Sequence, residues 1–317
     1  MYTNSFEIEK PENPNKHKLS INALFDVEHA LSMYATNFFT IPAEYIYDKV
    51  ALAPFMTVIE TCHIYLIGFL PRIDLVGAKQ NLNKLSLFFS ILGNEYTFET
   101  DVPDGLKLDQ DGELFFLSND RGERFWPNES SIQIRLCHES NVVNFEIKYI
   151  GQAYGRDGSR NAIDRLLNHE TLQKISLKGV HDGYRLTLLL LEVQPNNQLI
   201  TFFNPHAENK DADSSRIKAG LDKLYGTTEQ ERIALYEASL IRYFAPSYNK
   251  EFKNSFPSTN LKILQDCYEK DFAAIIAEIC IYELPFRLFS ESVAVKNYHI
   301  ARHNLHADEA RRMFFGM

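Results

Sequence analysis

Residues 145–169 (FEIKYIGQAYGRDGSRNAIDRLLNH) limit what this chain can fold into more than any other stretch. Residues 145–150 are rich in aromatic and β-branched side chains and alternate, which predicts a strand closed by Gly151. A polar loop with two glycines follows over 152–159. Ala162, Ile163, Leu166 and Leu167 then recur at helical spacing and predict a helix from Asn161 to about Ile175. Arg165 and His169, four residues apart, fall on one face of that helix. A strand ending in tyrosine and glycine is thus followed by a helix that offers an arginine and a histidine together. That arrangement suits binding and cleavage of a phosphodiester.

A second constraint lies downstream. Thr227 or Thr228 opens a helix, with Gln230 or Glu231 three residues on as a capping partner. Ile233, Tyr236, Glu237, Leu240, Ile241 and Phe244 line one side of it, so Glu237 falls in the middle of an apolar stripe. Carboxylates rarely turn into a core unless they are paired or hold a metal. Two roles therefore stay open: a structural ion pair with Arg165 or Lys148, or a functional carboxylate. Pro246 stops the helix, and Asn249 follows where its amide is placed to orient a phosphate or a lysine.

These pieces together resemble the GIY-YIG nuclease family. Tyr149-Ile150-Gly151, followed by Arg165 and His169, is similar to the second half of the family signature. Glu237 to Ile241, followed by Pro246 and Asn249, is similar to its closing E-x-x-L-I and P-x-x-N element. The likeness covers roughly residues 132–253. Two departures stand out. The family carries Gly-Ile-Tyr on the strand that pairs with Tyr-Ile-Gly, and no Gly-Ile-Tyr exists here. Residues 132–136 are the expected first strand, so Leu136-Cys137-His138 takes that place. His138 is then either an imidazole that activates water or a solvent-facing loop residue. The loop before Arg165 is also longer than usual, and it offers Tyr154, Arg156 and Arg160 to a nucleic-acid backbone or serves as a plain connection.

The resemblance implies an α+β fold, with a small mixed sheet and flanking helices over 131–254. An N-terminal α/β region (1–130) and a C-terminal helix/strand extension (255–317) would flank it. It further implies a metal-dependent endonuclease hydrolysing DNA, with Mg2+ or Mn2+ on Glu237. Tyr149 and His138 would position or activate water, Arg165 would neutralise phosphoryl charge, and His169 and Asn249 would support the geometry. Lys148, Gly151, Arg156 and Arg160 would meet the nucleic acid. The alternative implied by the missing tripeptide is a catalytically lapsed module that binds nucleic acid or protein.

Charge bears on the partner. The chain of 317 residues has a formal net charge of -9, and residues 99–129 hold nine carboxylates against three basic groups. Residues 148–185 reverse this, with seven basic against four acidic side chains. Global acidity opposes loose binding to a polyanion, so the composition favours a gated nuclease, or one assisted by a protein partner or a second copy. The start of the chain lacks an apolar leader segment, and no apolar run is long enough to span a bilayer. Cys62, Cys137, Cys267 and Cys280 are scattered without a C-x-x-C pair. Together these features predict a cytoplasmic protein with reduced thiols and no membrane contact.

Elsewhere, residues 1–18 read as a loose arm and 19–40 as strand or helix. Residues 57–70 read as a strand, 75–92 as a helix, and 96–117 as strands with a hairpin at Asp111-Gly112. The acidic cluster at 109–113 lacks the spacing of a calcium loop and reads as a solvated turn. Residues 184–193 predict a buried strand, 194–215 a surface excursion, and 275–289 a helix passing into a strand. Trp126 reads as core or strand-end packing. His299, His303 and His306 read as a solvated helix or, at metal-like spacing, a zinc site. Phe314 and Phe315 are expected to dock on this chain or another subunit.

Overall fold

The computed structural model of the chain describes residues 25–155, 160–205, 207, 209–257 and 261–306. The loose arm at 1–18, Arg156, and the phenylalanines 314 and 315 lie outside the described residues. Strand β1 (Val27–Pro42) leads through single 3-10 turns and the short helices α1 (Lys49–Leu52) and α2 (Met56–Thr61) into β2 (Ile64–Pro71). Two three-stranded meanders follow: β3 (Asp74–Asn81), β4 (Lys84–Ile91) and β5 (Asn94–Asp101), then β6 (Lys107–Asp111), β7 (Leu114–Ser118) and β8 (Arg124–Phe125). Helix α3 (Glu129–Ser140), β9 (Asn144–Gln152), α4 (Ala162–Leu166), α5 (Glu170–Lys178) and β10 (Tyr184–Val193) come next. The chain continues through β11 (Gln198–Phe203), α6 (Ser215–Gly226), α7 (Glu229–Phe244) and α8 (Lys262–Glu269). Strands β12 (Ala274–Cys280), β13 (Arg287–Ser290), β14 (Val293–Lys296) and β15 (Tyr298–Asn304) complete the described chain.

The expectation of a small sheet with flanking helices is corrected. The molecule is built on a nine-stranded mixed sheet ordered β14-β13-β9-β2-β10-β1-β12-β15, with β11 also on β1. Its strands come from all three segments expected from the sequence. Strand β1 makes this size possible. Its first half pairs with β11 and β12, and a bulge between Ala35 and Asn37 turns its second half onto β10. Both faces are covered around the middle strands. Helix α7 packs Ile233, Leu240 and Phe244 into one core with Leu66, Phe145 and Leu189. On the other face, α4 and α5 set Ile163, Leu166 and Ile175 against Ile67, Leu188 and Leu190. Each such buried leucine stabilises by roughly 2 kcal/mol, and this two-sided burial explains the unbroken apolar run expected at 184–193.

Several local expectations change. Residues 75–92 form the β3–β4 hairpin: Leu85, Leu87, Phe89 and Ile91 are buried at a period of two, while Leu82 and Leu92 sit in turns at φ 54° and 51°. Residues 132–136 lie in α3, capped by the Asn128 side chain accepting from the Ser131 amide, so they are not a strand. The 57–70 stretch splits into α2 and β2 at buried Cys62. Residues 198–203 of the predicted excursion are strand β11, and 275–289 contains β12 and β13 with no helix. Trp126 is exposed.

The three C-terminal histidines also depart from the solvated helix and from the zinc site. His299 and His303 lie inward on β15, where His299 Nε2 meets the Leu288 and Lys296 carbonyls and His303 Nε2 meets the Ser239 carbonyl. His306 Nε2 meets the Phe272 carbonyl at 2.9 Å. Each ring is spoken for by main chain. No helix among the described residues is long and apolar enough to cross a membrane.

Candidate active site

The site begins with an edge. Strand β9 pairs with β2 along one side, but β13 covers its other side only as far as Glu146. Beyond that point the segment after α7 takes over as a strand surrogate. Tyr248 donates its amide to the Lys148 carbonyl at 3.1 Å. The Asn249 side chain accepts from the Ile150 amide at 2.9 Å and donates to the Ile150 carbonyl at 2.8 Å. Both amide atoms of Asn249 are thereby used. The expected role of orienting a phosphate or a lysine is corrected to one of anchoring the chain to the sheet edge.

On the β2 side, Tyr65 lies directly across from Gly151. A Cβ built on Gly151 would come within 2.5 Å of the Tyr65 hydroxyl and 2.8 Å of the Tyr149 ring, so only glycine lets the two phenols converge there. The rings of Tyr65 and Tyr149 stack at 6.2 Å, and both line the same cleft. Arg165, exposed at the end of α4, lines the same cleft, and its charge opposes the upward push that burial gives the Tyr65 pKa. Helix α4 starts from a reciprocal capping box, with Asn161 and Asp164 bonding each other's amides.

The single helix expected from Asn161 to Ile175 is broken into α4 and α5, and His169 is the N-cap of the second. Its Nδ1 accepts the Leu172 amide at 3.2 Å. The ring packs against both phenols, 5.5 Å from Tyr65 and 5.0 Å from Tyr149. Burial and then the Arg165 charge lower its pKa to about 4. His169 is therefore a neutral spacer and cap at ordinary pH, and it does not share a helix face with Arg165.

Helix α7 supplies the carboxylate from the other side of the sheet. Its Thr228–Glu231 capping box, its apolar stripe and its stop at Ala245–Pro246 match the sequence reading. Glu237 is 8% exposed and forms no ion pair among the described residues. Burial above all pushes its pKa up to about 8; the side chain and backbone of Gln152 oppose this by hydrogen bonding, Glu251 adds repulsion, and Arg165 attracts weakly. Tyr65, Tyr149, Gln152, Arg165 and Glu237 all line one cleft of about 790 Å³, with Lys174, Lys250 and Glu251 on its walls. Burial and Glu237 also raise the pKa of Tyr149.

Other expected site residues lie apart. His138 is exposed in the last turn of α3 and does not line the cleft, because residues 132–140 are helical and the strand paired with β9 is β2. The Lys148 ammonium is held by Glu146 at 2.6 Å and Glu291 at 3.4 Å, away from the cleft lining. Arg160 spends its amide on the Tyr154 carbonyl and its carbonyl on His63 Nδ1. Sequence reasoning missed Tyr65, Gln152, Lys174, Lys250 and Glu251. Only Tyr65 left a trace, an Ile-Tyr pair opening an apolar strand, and two meanders and α3 separate it from Tyr149.

Among the described residues, no three His, Cys, Asp or Glu side chains cluster closely enough to enclose a metal. Set against known families, curated proteins and solved structures, the chain matches none.

Proposed function

We propose that this protein is a metal-dependent endonuclease that hydrolyses DNA phosphodiester bonds. One observation carries the reading: two stacked phenols, an exposed guanidinium and a buried carboxyl group without an ion-pair partner share a single cleft. The structural alternative for Glu237, an ion pair with Arg165 or Lys148, is absent among the described residues. Tyr65 also supplies what the sequence lacked. It follows Ile64 on the strand antiparallel to Tyr149-Ile150-Gly151, the position of the first tyrosine in the GIY-YIG nucleases.

The donor set fits a hard, hydrated cation such as Mg2+ or Mn2+. The cleft lining offers carboxylate, amide and phenol oxygens and no sulfur, and Mg2+ needs only one or two protein carboxylates. Glu237 would hold it, which would supply positive charge to a nonbridging phosphate oxygen and acidify water. The chain's own groups do the rest. Arg165 shares the cleft with Tyr65, and its planar fork meets the phosphoryl oxygens as charge develops. Tyr65 and Tyr149 keep their protons near neutral pH and orient the attacking water with their hydroxyls. Lys174 and Lys250 bracket the flanking phosphates. The unpaired thiols of Cys62, Cys137, Cys267 and Cys280 agree with work in the cytoplasm.

A plasmid-nicking assay with Mg2+ or Mn2+ tests the proposal. Wild type should nick, Glu237→Ala should lose about a thousandfold, and Arg165→Ala about a hundredfold. Equal nicking by all three, or none with either metal, sinks the enzyme and leaves a binding module.

A further inference from the structure

Behind the cleft, α4 and α5 present their other side to a second cavity of about 720 Å³. Neighbouring residues divide between the two spaces. Arg165 lines the cleft and Leu166 the cavity; Thr171 lines the cleft and Leu172 the cavity; Lys174 lines the cleft and Gln173 the cavity. The cavity floor is apolar, built from Ile46, Leu166, Leu172 and Leu186, and the phenols of Tyr47 and Tyr184 stand in its wall. Arg72, just after β2, and Arg185, at the start of β10, line it together with one carboxylate, Glu44. Neither guanidinium is ion-paired among the described residues.

We infer that this cavity is a second ligand site, taking a small aromatic anion of the nucleoside monophosphate class. Its volume lies in the range of small-molecule sites, and a mainly apolar lining with a few convergent polar groups is their usual chemistry. A flat base fits between aliphatic floor and phenol rings, and two free guanidiniums match a phosphate. The site is coupled to the cleft through one short path. Leu172 lines the cavity and donates its amide to His169, whose ring packs against both Tyr65 and Tyr149. Occupancy of the cavity would therefore reset the phenol pair.

Binding can be measured without any cleavage, so this site and the nuclease reading, on which only the coupling rests, fail separately. Titration calorimetry with adenosine monophosphate should show binding to wild type. Adenosine alone and inorganic phosphate alone should bind at least about tenfold more weakly. The double variant Arg72→Ala/Arg185→Ala and the cavity-filling Ser176→Trp should each weaken binding at least about tenfold, with circular dichroism unchanged. No binding to wild type, or equal binding to all three proteins, overturns the site. The nucleotide should also change the wild-type nicking rate by about threefold or more and leave the double variant's rate alone. Binding without that change overturns the coupling.

Discussion

Arg216 and Glu237 are both ionisable groups drawn out of water, yet the molecule treats them differently. Arg216 is closed on itself: it reaches Asp271 at 2.8 Å, the Val27 carbonyl at 2.6 Å and Glu28 at 3.4 Å, with its guanidinium 3.9 Å from the Phe25 ring centroid. It ties β1 to the turn before β12 and leaves no room for a ligand. Glu237 has neighbours of both signs in its cleft but no ion pair, and burial holds its carboxyl near pH 8. A buried charge that is satisfied by its own chain contributes to structure. One that is left short faces a space where something else can complete it.

The sharpest way to break this comparison is to remove each charge and read both activity and stability. Glu237→Ala should lose about a thousandfold in nicking while its melting temperature holds or rises. Arg216→Ala should cost about 3 kcal/mol in urea unfolding, because the guanidinium's bonds to Asp271, Glu28 and the Val27 carbonyl are lost, while nicking per folded molecule stays unchanged. A collapse of activity in the second variant, or of stability in the first, would erase the distinction.

Proton linkage gives effects of opposite sign in two regions. Glu237 has a folded pKa of about 8 against an ordinary 4.5, so the folded state keeps a proton the unfolded chain has shed. Its stability contribution is present below pH 4.5 and declines as pH rises toward 8 in metal-free buffer. Glu237→Gln should remove that decline, gaining on the order of 4 kcal/mol over wild type near pH 8. His303, lowered by burial from 6.5 to about 4, works the other way: stability present above 6.5 is lost as pH falls toward 4. Urea titrations at several pH values check both slopes.

The smallest expected change is Asn249→Ala. It strands the amide and carbonyl of Ile150 at the sheet edge and should cost about 1 kcal/mol with about a tenfold fall in nicking. Unchanged nicking would show that the anchor does not hold the cleft open.

Sequence periodicity alone located the strand at 145–150, which runs on through Gly151 as β9, the capped α7 helix and the inward position of Glu237, because each rests on local spacing and local caps. It failed where local signals compete. The β3–β4 hairpin looked helical since Leu82 and Leu92, apolar residues spent on turns, filled the gaps in a helical pattern. Residues 132–136 looked like a strand because Ile132, Ile134 and Leu136 alternate, although Asn128 caps a helix there.

What the residues determined by themselves was therefore the chemistry on hand: a phenol beside a glycine, an arginine four residues before a histidine, and a carboxylate among apolar neighbours. Only the tertiary structure decided which phenol meets Tyr149 and that His169 caps rather than catalyses. It also spent both atoms of Asn249 on Ile150. The reason is that β2 and β9 are joined across two inserted meanders, and such long-range pairing leaves no trace in local spacing; it emerges only when the sheet closes and Tyr65 passes over Gly151.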